Sequence, residues 1–381
     1  MKRLKLMLVL ALGIAQCGFA QGFKQHHSPT VTADSVIFDV TMPNAKSVSL
    51  AGEWMEGMDA YKGKPMQKGS DGKWYYRIAK PKGEIYMYSI NVDGTQMPDP
   101  ANFLVYRDGQ SPRSLLYIRS NEEPFVSYDD RASKNKGQIV KRWYMSTPHG
   151  YQRRLTVYLP YGYDQGTKRY PVLYLQHGGG GDEDAWASIG RCAQIMDYLI
   201  EKGKAEPMII VMPNGMPVNE ASADVMMPNV WVEDMQSRDF MEGTNYVKSI
   251  YTDIIPFIDS HYRTIADKAH RAIAGLSMGG IYTEQVTRQH PELFDYIGEL
   301  SMGLTPDMPA EEFLGPVKKA GYKLYYVGCG KTDIAWQNAE RTMEGLKKLD
   351  MPYVYFDKDL GGHCWATWRK CLFDFSQRLF K

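Results

Sequence analysis

Gly275-Leu276-Ser277-Met278-Gly279 is a G-x-S-x-G pentapeptide set between a short apolar run and a stretch of helical periodicity. Small residues on either side of a serine allow a sharp strand-to-helix turn, which lifts the hydroxyl above the carboxyl edge of a sheet. The unpaired N–H groups and positive end of the helix that follows favour a developing oxyanion. The chemistry implied is nucleophilic attack by Ser277. The letters alone also fit a serine in a surface glycine turn; the strand–turn–helix setting selects the nucleophile.

A serine hydroxyl needs a base, and the base needs a carboxylate to orient it. With this kind of elbow the chain order is serine, then Asp or Glu, then histidine. Two histidines follow Ser277. His290 stands before Pro291 at the end of the helix leading away from the elbow, and reads as a helix-terminal residue. His363 lies in a glycine-rich loop between the last predicted strand and the last predicted helix, where a base belongs. Asp333, in the loop after the strand ending near Gly328, is the first choice for the acid; Asp357 and Asp359 are alternatives beside the strand leading to His363. One oxyanion donor should be the N–H of Met278. The other should come from the four consecutive glycines 178–181, whose backbone can approach a substrate closely, with Gly179 the expected donor. The Lys and Ser/Thr of a phosphate-binding loop are missing there. His177 reads as a residue that positions this loop. Trp186, Trp231, Trp336 and Trp365 are candidates for an aromatic or sugar-binding surface, with plain packing as the alternative.

These residues need a scaffold. From about residue 138 to 381, apolar strands alternate with amphipathic helices, which predicts an α/β domain with a mostly parallel sheet covered on both faces. Pro256 should kink or interrupt the helix it falls in. Residues 35–122 read differently: short alternating strands and Asp-Gly turns at 71–72 and 93–94 predict a small all-β sandwich. Residues 123–137 lose periodicity and gain charge, as a linker would. Residues 21–34 read as a flexible lead-in. Residues 1–20 carry Lys2, Arg3 and Lys5, then an apolar stretch and small residues, the pattern of a secretory signal peptide. An exported protein, periplasmic or extracellular, is expected. Lipidation at Cys17 is an alternative that Gln16 fits poorly.

The net charge of +1 excludes an electrostatic footprint for nucleic acid. No internal run is long and apolar enough to span a membrane. Cys192, Cys329, Cys364 and Cys371 follow the leader with no C-x-x-C pair, so a zinc site is not expected and three full pairings are open, as are buried free thiols. Oligomeric state is not legible.

Segments 174–186, 209–215, 271–280, 290–298 and 361–369 resemble the esterases of carbohydrate esterase family 1, which includes feruloyl and acetylxylan esterases. Segments 43–54, 71–74 and 99–102 resemble the early-set, immunoglobulin-like module often fused to them, which is similar to glycogen-binding modules. The resemblance implies an α/β-hydrolase domain behind an immunoglobulin-like sandwich. It further implies hydrolysis of esters on plant cell-wall polysaccharide or its oligosaccharides, with no metal or organic cofactor. Ser277, Asp333 and His363 match the family's triad positions. Cys364, directly after the base, departs from the pattern, and a bridge to Cys329 would pin the acid and base loops together. Two other readings are a siderophore esterase cleaving a catecholate trilactone, which calls for a basic mouth, and an inactive esterase fold that binds carbohydrate. Trp54, Trp74, Tyr75, Tyr76, Tyr86 and Tyr88 make either a glycan platform or, the favoured reading, the packing of a module that shapes the active-site rim. Residues 214–245 are the expected place for the choice of acyl group.

Overall fold

The structure is a computed structural model that describes residues 27–108, 111–216, 220–222 and 243–381. The leader, with Cys17, and most of the expected acyl-selecting segment lie outside the described residues.

The α/β part is built on an eight-stranded sheet. Its order is Gln138–Ser146, Tyr151–Leu159, Ile209–Pro213, Val172–Gln176, Arg271–Leu276, Tyr296–Leu300, Leu324–Gly328 and Val354–Phe356. The first two strands run antiparallel to their neighbours and the rest are parallel. Val172–Gln176, Ile209–Pro213 and Arg271–Leu276 are buried along their whole length, which is why they read as continuous apolar runs. Strand alternation sends Leu173, Leu175, Ala272 and Ala274 to one face, against helices Cys192–Glu201 and Trp365–Ser376. Val172, Tyr174 and Ile273 go to the other, against Tyr246, Ile258, Tyr282 and Val286.

In the α/β part, a strand and a helix were not expected. Strand Gln138–Ser146 is an edge strand with Ile139, Trp143 and Met145 exposed and only Val140 and Tyr144 turned to the core, so apolar residues fall on both faces and blur the alternation. Helix Ala310–Ala320 contains Pro316 and buries only Leu314 and Val317, too few for a helical period. The helix around Pro256 continues through a π-helical stretch at Ile250–Ile254 and resumes as Ile255–His261. The wider turn accommodates the N–H that proline lacks.

Residues 30–118 form two antiparallel sheets. The larger includes Val48–Gly52, Glu84–Val92 and Ser111–Ile118; the smaller pairs Ser35–Thr41 with Lys73–Ala79. They enclose one apolar cluster with Phe38, Leu50, Trp74, Tyr88 and Ile118. Asp93 (φ 50°) and Gly94 (φ 89°) close a tight hairpin at the expected Asp-Gly turn. Trp54 stacks on Phe38 at 5.3 Å, and Tyr88 is fully buried. These aromatics pack inward.

Two segments expected to be loose are held. In the lead-in, Thr30–Val31 pairs with Val36–Ile37, the turn fixed by Ser35 N–H donating to Thr32 Oγ1 at 3.0 Å. In the linker, Phe125–Tyr128 forms a short 3₁₀ turn that buries Phe125 and Tyr128 in the main core. Charge masked two aromatic anchors there.

The front sheets also grip the last helix. Arg369 is fully buried; its Nε and Nη2 donate to Glu84 Oε1 at 3.2 and 3.0 Å, Nη1 to the Ile189 carbonyl at 2.8 Å, and Nη2 to the Ile85 carbonyl. Lys82 pairs with Asp359 at 2.7 Å. This grip fixes the end of the chain that carries His363.

Candidate active site

Ser277 sits between strand Arg271–Leu276 and helix Met278–Gln289 with φ 52° and ψ −121°, a conformation rarely adopted by a residue with a side chain. Its N–H donates to the Leu300 carbonyl at 2.9 Å, and its carbonyl accepts from Gly280 N–H at 2.8 Å. The flanking glycines are obligatory. A Cβ at Gly275 would lie 2.0 Å from the Gly279 carbonyl oxygen, and one at Gly279 2.5 Å from that of His177. Met278 opens the helix, so its N–H has no partner within the helix.

The glycine loop lies against this elbow. A Cβ at Gly178 would come to 3.3 Å from Ser277 Cβ, whereas one at Gly179 would meet nothing within 4 Å. His177 is buried behind the loop. Its Nε2 accepts from Gly215 N–H at 2.8 Å, so the proton is on Nδ1, which donates to the Gly178 carbonyl at 2.7 Å. Burial pushes its pKa down and keeps it neutral. Both nitrogens are engaged, so His177 holds the loop and has no lone pair left to act as a base.

Asp333 and His363 come together from loops following two different strands. His363 Nδ1 donates to Asp333 Oδ1 at 2.8 Å. Asp333 is nearly buried, and the same oxygen accepts Ala335 N–H at 2.8 Å. This pairing fixes the tautomer with the proton on Nδ1 and leaves the Nε2 lone pair for a substrate-side proton. The imidazole meets Trp368 edge-on at 5.2 Å, and Trp368 Nε1 donates to Ser301 Oγ at 2.9 Å. Asp359 is instead paired with Lys82. His290 pairs with Glu292 and packs on Tyr251, away at the helix end.

The front sheets supply the other wall. Tyr61 OH donates to the His363 carbonyl at 3.3 Å. Burial, with Asp333 nearby, pushes its hydroxyl up to about 12, so it stays a donor. Glu53 receives Trp365 N–H on Oε1 at 3.2 Å and Met87 N–H on Oε2 at 2.9 Å. The carboxylate thereby caps the helix that starts just after His363. Beside His363 is a cavity of about 70 Å³ bordered by Glu53, Tyr61, Arg113, Ile334 and Trp365. Sequence reasoning missed Glu53, Tyr61 and Arg113; no local motif marks them, because they reach the site across hundreds of residues.

The four tryptophans separate. Trp365 lines the cavity. Trp186 is a correction: it is fully buried, and its indole N–H donates to the Gln176 carbonyl at 2.9 Å, so it braces the strand before the glycine loop and meets no substrate. Trp336 is half-buried against Tyr355 at 5.9 Å. Trp231 lies outside the described residues. A Cys364–Cys329 bridge does not form: Cys192, Cys329, Cys364 and Cys371 are all free and buried. Burial pushes the Cys364 thiol up to about 12, and the thiol lies 3.7 Å from Thr367 Oγ1. Among the described residues no group of three or more His, Cys, Asp or Glu is placed to hold a metal ion.

Residues 146–350 match the profile of a family described as "Putative esterase". An endo-1,4-beta-xylanase/feruloyl esterase of Xylanibacter ruminicola is 33% identical over 356 residues, which are 90% of this chain and 44% of that protein. The chain thus spans less than half the length of that relative. A ferulic acid esterase from Anaeromyces mucronatus, solved with ferulic acid, superposes with a TM-score of 0.58 at 22% identity, covering 70% of this chain and 98% of that one. An enterobactin esterase from Shigella flexneri superposes with a TM-score of 0.68 at 14% identity, covering 96% of this chain and all (100%) of the other. At these identities the two structures speak to the fold, and the second extends the likeness through the front sheets.

Proposed function

The chain belongs to this esterase family and is a carboxylic ester hydrolase, and from that premise we propose that it is an exported serine esterase that removes feruloyl or acetyl groups from xylan. In this reading Ser277 Oγ attacks the ester carbonyl while His363 Nε2 takes its proton. Asp333 holds the imidazole by Nδ1 and stabilises the imidazolium. The N–H groups of Met278 and Gly179 receive the oxyanion. His363 returns the proton to the departing sugar hydroxyl, leaving an acyl-serine. Water, deprotonated by His363, then releases the acid and regenerates Ser277. The observation that carries the reading is the 2.8 Å hydrogen bond from His363 Nδ1 to Asp333, with Ser277 on a strained elbow in the same sheet.

In the same reading residues 1–20 direct export, residues 35–122 are an immunoglobulin-like module that shapes the rim of the site, residues 123–137 connect, and residues 138–381 are the α/β-hydrolase domain. The likeness to an endo-1,4-beta-xylanase/feruloyl esterase supports the substrate class. A second reading, hydrolysis of a catecholate trilactone, is favoured by the full-length fold likeness to an enterobactin esterase.

The test is the initial hydrolysis rate on methyl ferulate, 4-nitrophenyl acetate and enterobactin, with wild type beside Ser277→Ala. Ferulate release that disappears in the variant supports feruloyl hydrolysis; acetate release alone shifts the substrate to short acyl groups. Enterobactin turnover without the other two moves the assignment to the trilactone. Turnover that survives in Ser277→Ala removes the serine mechanism.

A further inference from the structure

We propose that Arg113 forms a carboxylate-binding subsite beside the catalytic base, one that takes the acid group of a uronic acid substituent on the polysaccharide. This rests on the esterase reading above and names the part of the substrate that the front sheets would recognise. Arg113 lies on strand Ser111–Ile118 and lines the cavity that also contains His363. Its side chain is half-buried, and its Nε is closed off from solvent with no hydrogen-bond partner. Among the described residues it makes no ion pair.

Three other cations where the front sheets meet the α/β part are paired. Arg107 pairs with Asp182, Lys82 with Asp359, and Arg369 with Glu84. Glu53, the acidic side chain lining the same cavity, receives the backbone N–H groups of Met87 and Trp365. Arg113 therefore carries a full charge without an ion-pair partner on a side chain that lines a cavity a ligand can enter. Guanidinium presents paired N–H groups whose geometry matches a carboxylate, and such charge-assisted bonds are the strong ones.

Size decides which anion. The cavity of about 70 Å³ is about half of the roughly 150 Å³ that an aromatic ring occupies in a closed apolar site. A carboxylate or a hydroxymethyl group fits; a feruloyl or catechol ring does not. Tyr61, whose hydroxyl stays protonated, borders the same space and adds a neutral polar wall.

Calorimetric titration of the full chain carrying Ser277→Ala tests the subsite without turnover. The probes are a xylo-oligosaccharide bearing one glucuronic acid branch and the same oligosaccharide bearing glucose in its place. The acidic probe should bind about tenfold more tightly, the advantage expected for one partly exposed charge-assisted pair, and the advantage should shrink as salt is raised. Adding Arg113→Gln should erase the difference between probes, and Arg113→Lys should keep part of it; thermal unfolding of each variant confirms that it is folded. Equal binding of the two probes, or a preference that survives Arg113→Gln, overturns the proposal. Tighter binding of 2,3-dihydroxybenzoylserine than of the uronic acid probe overturns it too. Failure of the esterase reading is seen separately, in the hydrolysis rates of wild type against Ser277→Ala.

Discussion

Replacing Glu84 with Gln should leave a guanidinium without its anion in a site closed to water. Arg369 is fully buried and Glu84 nearly so. The amide oxygen of Gln can still accept the Arg369 N–H bonds, so the change isolates the charge. Opposite charges 3.0 Å apart attract by about 5 kcal/mol at an effective dielectric of about 20. Part of that is returned, since burial pushes the Glu84 carboxyl up despite Arg369 beside it. The expected net loss is about 3 kcal/mol, the lower end for breaking a buried pair from one side. Arg369→Met makes a different defect. Arginine cannot shed its proton, but an abandoned glutamate can take one. A carboxyl whose folded pKa lies above its unfolded value binds its proton more tightly when folded. Its stability contribution is then present at low pH and is lost as pH rises through the folded pKa. Arg369→Met should therefore lose stability as pH rises above the usual carboxylate range, while Glu84→Gln should show no added pH dependence. Urea unfolding followed by tryptophan fluorescence and circular dichroism, with ester hydrolysis on the same samples, measures both. A Glu84→Gln loss below about 1 kcal/mol, the size of an ordinary substitution, or identical pH profiles for the two variants, would refute the reasoning.

Asp333→Asn should lower kcat on 4-nitrophenyl acetate by about 10³- to 10⁴-fold, the cost of the wrong imidazole tautomer; a loss under about tenfold would remove Asp333 from the mechanism. Glu284 and Glu299 are both buried, and burial pushes both carboxyls up, Glu299 to about 7 and Glu284 well above its usual range. The pair binds protons more tightly when folded, so wild-type stability should fall as pH rises from the usual carboxylate range through about 7. Glu284→Gln supplies an N–H donor in that proton's place and should be more stable than wild type by about 1 kcal/mol at about pH 8.5 in urea unfolding; a variant that is less stable there contradicts the shared proton.

What the sequence disclosed follows the range of each signal. The elbow at Ser277 is written in five consecutive residues, because the backbone contacts that forbid a Cβ at Gly275 and Gly279 are local. The meeting of Asp333 and His363 was legible because both follow strands of one parallel sheet, and such loops share an edge. Trp186 looked like Trp365 in the sequence; one is walled in by the strand before the glycine loop and the other borders the cavity, a distinction set by packing. Tyr61 was invisible for a simpler reason. It acts on a backbone carbonyl 302 residues away, and neither partner carries a motif for that contact. The thiols misled through chemistry: Cys364 beside His363 invited a bridge, whereas the core uses it as a small apolar residue.

The Tyr61, Glu53 and Glu84 contacts have a bearing on inheritance. A front segment that merely tethers an enzyme to its substrate can be exchanged between genes, since each part keeps its own working surfaces. Here the cap on the final helix, the hold on the His363 carbonyl and the counter-charge of Arg369 are all encoded before residue 85, and their recipients lie after residue 362. Recombination that swapped one half for a foreign one would deliver the His363 loop without its backing and an interior arginine without its anion. Mutations in these two segments should therefore be accepted in matched sets, and the two segments should share one line of descent.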